Sequence, residues 1–201
     1  MSAFVQHFPR SLPAAALAAG LALAAPDAAR ADGEFFQLDL SESAVDGVFA
    51  LSRDRFSLNG NYSEYEGGHT TTLSVSYAFP VDGVGTFRFG PSVGRSVDDT
   101  DGSTTTTAGA RIVFERWMPT DFGSLFLLAE YNTIDNNYFG LVQTGFGSSG
   151  FSAEFSIGGS DKYDATTLAV SKRLGDSPAY LRAGYKFVAE EAFIGFAINT
   201  F

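Results

Sequence analysis

The chain has 201 residues, no cysteine, and 23 acidic against 13 basic side chains, for a formal net charge of -10. That balance argues against nucleic acid as a partner, and the missing cysteines exclude a disulfide framework. After residue 31 no apolar run approaches the roughly 20 residues of a membrane helix, so a helical membrane protein is excluded as well.

Residues 1–31 have a weakly basic start (His7, Arg10), an Ala/Leu-rich centre from Leu12 to Ala25, and small residues at Ala29 and Ala31. This layout predicts a secretory signal peptide cut after Ala31, leaving one domain over residues 32–201. The leader carries two Arg and one Asp, so the remainder has a formal charge of -11. With 20 Phe, 8 Tyr and 22 Gly but only 7 Pro, the full chain favours strands and turns over helices.

Period-two segments then follow one another. Glu34 to Ser41 and Ala44 to Arg53 are the weakest. Arg55 to Tyr65 sets Phe56, Leu58, Gly60 and Tyr62 against Ser57, Asn59, Asn61 and Ser63, and Thr70 to Phe79 alternates in the same way. Asp82-Gly83 is a hairpin signal. Gly85 to Arg95 puts Phe87, Phe89, Pro91 and Val93 on one parity, although a proline inside a strand points to an edge. A long polar loop is expected over Ser96 to Thr107. Segments Thr107 to Trp117, Leu125 to Asn132, Asn137 to Gly147, Gly150 to Gly158 and Tyr163 to Leu174 continue the series.

The pattern is clearest in PAYLRAGYKFVAEEAFIGFAINTF, Pro178 to Phe201. Here Ala179, Leu181, Ala183, Tyr185 and Phe187 alternate with Tyr180, Arg182, Gly184 and Lys186. After a turn at Glu190-Glu191, a second apolar segment runs to Phe201. A hydrophobic strand left as an open edge invites pairing with other chains, and closure into a barrel removes that edge. In this terminal segment the chain resembles bacterial outer-membrane β-barrel proteins of porin-like type, whose last strand typically ends in Phe. The resemblance implies that Phe201 is part of a signal read by the barrel-assembly machinery. Counting back from Phe201, the alternate positions are Asn199, Ala197, Gly195 and Phe193, whereas the more apolar series is Ile198, Phe196 and Ile194. Either a bulge resets the last residues or the signature is degenerate.

The expected fold is therefore all-β: an antiparallel transmembrane β-barrel of ten to twelve strands, with eight as the low alternative, after a cleaved signal peptide. Parity directs Arg88, Arg111, Glu115, Glu130, Glu154, Arg182 and Lys186 to the lumen, and Tyr62, Tyr77, Tyr131 and Tyr185 to the outside. A turn centred on Asp99-Thr100 would set Arg88 opposite Arg111. One centred on Thr120-Asp121 would set Arg111 opposite Glu130, with Glu115 a diagonal neighbour. These charges read either as a constriction that selects solutes or as a salt-bridge layer filling a small barrel.

Enzyme signatures are weak. The single histidine after the leader, His69, falls in an expected loop, and a Ser-His-acid site would need it beside both partners. Asp98 to Gly102 resembles part of a calcium loop but lacks the closing bidentate Glu; a solvated tip, with weak divalent bridging to lipopolysaccharide phosphates, is the reading it allows. No catalysis, cofactor or metal is expected. The functional expectation is a passive channel for small hydrophilic solutes in the outer membrane of a Gram-negative bacterium, contacting lipid and lipopolysaccharide. The rivals are a non-conducting structural or surface-interaction barrel and a soluble exported β-sandwich or adhesin.

Overall fold

The computed structural model describes residues 32–201, so the expected signal peptide, 1–31, lies outside the described residues. Twelve strands follow in order: β1 (Gly33–Ser41), β2 (Val45–Arg53), β3 (Phe56–Tyr65), β4 (Gly68–Val81), β5 (Gly85–Asp98), β6 (Thr104–Thr120), β7 (Gly123–Asn132), β8 (Asn137–Gly145), β9 (Phe151–Gly159), β10 (Asp164–Arg173), β11 (Ala179–Lys186) and β12 (Glu191–Asn199). Each pairs antiparallel with its neighbours in sequence. Pairing of β1 with β12, from Phe35↔Asn199 to Ser41↔Phe193, closes the barrel.

The strand count corrects the sequence reading. Eight strands are ruled out by the closed ring of twelve, in which the two weakly patterned segments before Arg53 are full strands with unbroken registers. In β2 the alternation is faint because Gly47 and Ala50 interrupt it with residues too small to mark either face. β4, β5 and β6 run 14, 14 and 17 residues, longer than the expected span. Most of the expected polar loop at Ser96 to Thr107 is in fact ladder, continuing to Val97↔Thr104. Threonine is β-branched and suits a pleated strand, so the polar run extends the sheet and leaves only a five-residue tip, 99–103.

Pro91 sits inside β5 without shifting its register. The β4–β5 ladder keeps one register on both sides but omits the pairs at Pro91 and Gly90. A Cβ on Gly90 would lie 1.9 Å from the Val75 carbonyl oxygen, so only glycine permits the backbones to approach where proline offers no N–H.

Polarity is inside-out. Among the described residues six apolar ones are buried, Ala78, Val113, Ile134, Ala169, Phe193 and Ala197, against twelve polar or charged side chains, from Asp39 to Arg182. Large apolar side chains instead cover the outside, among them Val75, Phe89, Ile112, Phe155, Val170 and Ile194. Rings cluster on that face near the end where β1 begins and β12 finishes: Phe56 meets Tyr77 edge-on at 5.1 Å, and Phe79 stacks on Phe89 at 4.8 Å. An apolar band this continuous far exceeds the patches that water-soluble monomers expose.

The terminal segment contains no bulge: both ladders of β12 keep a constant register. Ile194, Phe196 and Ile198 face outward opposite Leu40, Leu38 and Phe36. Phe201 lies beyond the strand, its ring against Gly33 where an inward Cβ would stand.

Candidate functional site: the charged inner wall

The registers decide which side chains share the lumen. Leu181 and Tyr185 are exposed on the outer face and Arg182 is buried on the inner one, with Lys186 on the same side. Arg88 stands opposite Val113, and Arg111 opposite Gly90 and Asn132; Val113, not Arg111, stands opposite Glu130. Both expected turn centres were therefore off by one residue, which moves each register by two. Parity survives a two-residue shift, so the side chains still face inward, but their partners change. The expected Arg88–Arg111 opposition is corrected to two separate diagonal ion pairs.

One pair is Arg111 with Glu130. Nε and Nη2 of Arg111 donate to the two carboxylate oxygens at 2.6 and 2.5 Å, a bidentate fork. The other is Arg88, whose Nε donates to Glu115 at 2.7 Å while Nη1 donates to Ser57 Oγ on β3 at 2.6 Å. Arg88 crosses β4 to make that bond, passing where β4 carries Ala78 and Ser76. Arg111 similarly reaches Ser74 on β4, over Gly90, at 3.5 Å. Small residues beneath the guanidinium make each crossing possible.

On the opposite side of the barrel, Arg182 on β11 spends all five of its N–H donors. Nε and Nη2 donate to Asp39 on β1, Nη1 and Nη2 donate to Glu154 on β9, and Nη1 also donates to Ser171 on β10. The side chain bridges to β1 over Gly195, which faces both Arg182 and Asp39; a Cβ there would lie 2.1 Å from Asp39 Oδ1. Gln37 donates to Asp39 and Gln143 to Glu154, extending this belt from β1 to β8.

Nearer the far end, Lys186 Nζ donates to Asp46 at 2.8 Å, Ser41 Oγ at 2.9 Å and Glu191 at 3.5 Å. Ser63 donates to the other oxygen of Asp46. Asp39, Asp46 and Glu191 are lumen carboxylates that the sequence reading missed. Asp39 carried the inward parity of β1, but the weak pattern there hid it. Asp46 and Glu191 border turns, where parity is hardest to count.

The inner wall also has an apolar sector. Leu128 and Leu141 stand opposite each other on β7 and β8, with Phe126 and Phe139 on the same face. From the turn between these two strands, Ile134 folds inside, 2.6 Å from where a Cβ on Gly109 would stand and 3.3 Å from one on Gly94.

The remaining candidates lie elsewhere. His69 is on the outer parity of β4, its ring 6.0 Å from that of Tyr62, away from the lumen. Tyr62, Tyr77, Tyr131 and Tyr185 all take the outward parity. In the acidic tip, Asp98 accepts the Thr100 N–H and Asp101 the Ser103 N–H, so both carboxylates hold the turn itself. The Ser103 bond keeps the Asp101 carboxyl below its usual value.

No family model and no curated protein matches the sequence. Solved structures do share its shape. A KdgM porin superposes with a TM-score of 0.50 at 12% identity, covering 83% of this chain and 97% of that one. A KdgM porin in complex with disordered oligogalacturonate gives 0.48 at 11% identity over the same shares. The N-terminal β-barrel domain of Pseudomonas aeruginosa OprF gives 0.24 at 17% identity, covering 85% and 98%. At 12% identity the likeness to the first of these is one of fold alone, the closed antiparallel barrel.

Proposed function

We propose that the protein is a passive porin-like channel for small hydrophilic solutes in the outer membrane of a Gram-negative bacterium. The observation that carries this reading is the lateral layout of the inner wall. Its ion pairs and hydrogen bonds each join strands no more than three places apart among the twelve, as in Lys186 to Asp46 from β11 to β2. The long side chains are thereby drawn along the wall, away from the axis. Asn59 Nδ2 and Ser76 Oγ are buried inner-wall atoms with no protein partner, and such groups ordinarily bind water.

The apolar outer band supports contact with lipid. β12 with Phe201 is the segment offered to the assembly machinery, and the far rim, with the acidic 99–103 tip, faces lipopolysaccharide. Transport by this reading needs no chemistry, only diffusion past fixed dipoles and charges. The oligogalacturonate of the structural neighbour does not come across with the fold.

One observation favours the non-conducting alternative: Ile134 and the apolar sector occupy part of the lumen. Single-channel recording of the refolded protein in a planar bilayer separates the two. The channel reading expects discrete steps, with conductance or ion preference altered in Arg111→Ala. A folded, heat-modifiable protein that gives no steps would overturn it in favour of a filled, structural barrel.

A further inference from the structure

Resting on the channel reading, we infer that the lumen admits cations in preference to anions, and that the selecting charges lie on the β9-to-β2 arc of the wall. On that arc four carboxylates share two cations: Asp39 and Glu154 flank Arg182, and Asp46 and Glu191 flank Lys186. Two negative charges are therefore left over, one at each level, and Arg173, which has the same inward parity at the exposed end of β10, offsets one of them. Elsewhere on the wall Arg88 and Arg111 are each matched by a single carboxylate, and the one further inward-parity charge of that sector among the described residues is Asp98, at the exposed end of β5.

Hydrogen-bond capacity points the same way. All five donors of Arg182 are taken, and the three donors of Lys186 go to Ser41, Asp46 and Glu191. Neither cation has a hydrogen left for a passing anion. Asp39, Asp46 and Glu154 have more lone pairs than their bonds use, so these three present acceptors to the lumen, whereas Glu191 is filled by Ser41, Ser43 and Lys186. In a confined pore with low-dielectric walls, an unbalanced charge of one sign concentrates the opposite ion. The preferred solutes are thus small cations, or neutral molecules rich in N–H and O–H donors, with polyanions disfavoured.

The test is the reversal potential of the refolded full-length barrel in a planar bilayer under a tenfold KCl gradient. Wild type is expected to give the sign of a potassium preference. The Asp46→Asn/Glu191→Gln double variant, which leaves Lys186 uncompensated, is expected to shift that potential toward the chloride value. Glu34→Gln, on the outer face, should leave it unchanged. A chloride preference in wild type overturns this inference while leaving the channel reading intact, and it needs no variant to fold. A potassium preference that a folded double variant retains overturns the assignment to this arc. Absence of any conductance overturns the channel reading and this inference with it.

Discussion

The two sides of the inner wall handle buried charge differently. Between β3 and β7 each arginine has its own carboxylate and leans on a serine: Arg88 with Glu115 and Ser57, Arg111 with Glu130 and Ser74. Between β8 and β2 Arg182 and Lys186 are each divided between two carboxylates, and Arg182 spans from β9 to β1. The balanced side contains the tall strands, β4 to β6, and its partners are near in sequence, with Arg111 and Glu130 separated by 19 residues. The shared side includes the seam, where Arg182 and Asp39 are 143 residues apart. Local hairpins can therefore satisfy their own charges, whereas the seam is held by a contact that exists only after closure.

Removing Arg182 should have the largest effect. Arg182→Met strands two buried carboxylates at the seam. Breaking a buried pair costs about 3–5 kcal/mol, and this variant belongs at or above the upper end. Arg111→Met strands one carboxylate and belongs at the lower end. Urea midpoints of the two variants in the same lipid would measure the difference, and equal losses would erase the distinction between the two sides.

Gly195→Ala comes next. Its Cβ would meet Asp39 Oδ1 at 2.1 Å and the Leu38 carbonyl oxygen at 2.4 Å. Overpacking of this kind typically costs about 1–3 kcal/mol. Gly47→Ala is the control, because its Cβ would find only ordinary contacts at 3.7 and 3.8 Å. If both variants refold and unfold alike, the glycine window under Arg182 has no energetic role.

The smallest effect is expected from Lys162→Ala. Its ion pair with Asp135 sits at the rim, with both side chains well exposed, and such pairs contribute about 0–1 kcal/mol. A loss as large as that of Arg111→Met would show that rim contacts, rather than wall contacts, hold the barrel.

Sequence alone determined the alternation. Side chains on a strand switch faces at every residue, so inward Arg88, Arg111, Glu154 and Arg182 and outward Leu181 and Tyr185 follow from counting within one segment. It also carried the turn at Asp82-Gly83, because left-handed backbone there needs glycine, and Gly83 has φ 73°. Sequence could not fix the number of strands where Gly47 and Ala50 blur the pattern, nor the register at the 99–103 tip, where threonines suit either strand or loop. Only the tertiary structure decided that Asp39 meets Arg182, and that Gly195, Gly90 and Ala78 lie beneath the arginines that cross them. Those contacts depend on which strands become neighbours and on register to the residue: the hairpins set both for Ala78 and Gly90, and the pairing of β12 with β1 sets them where Asp39 meets Arg182 over Gly195.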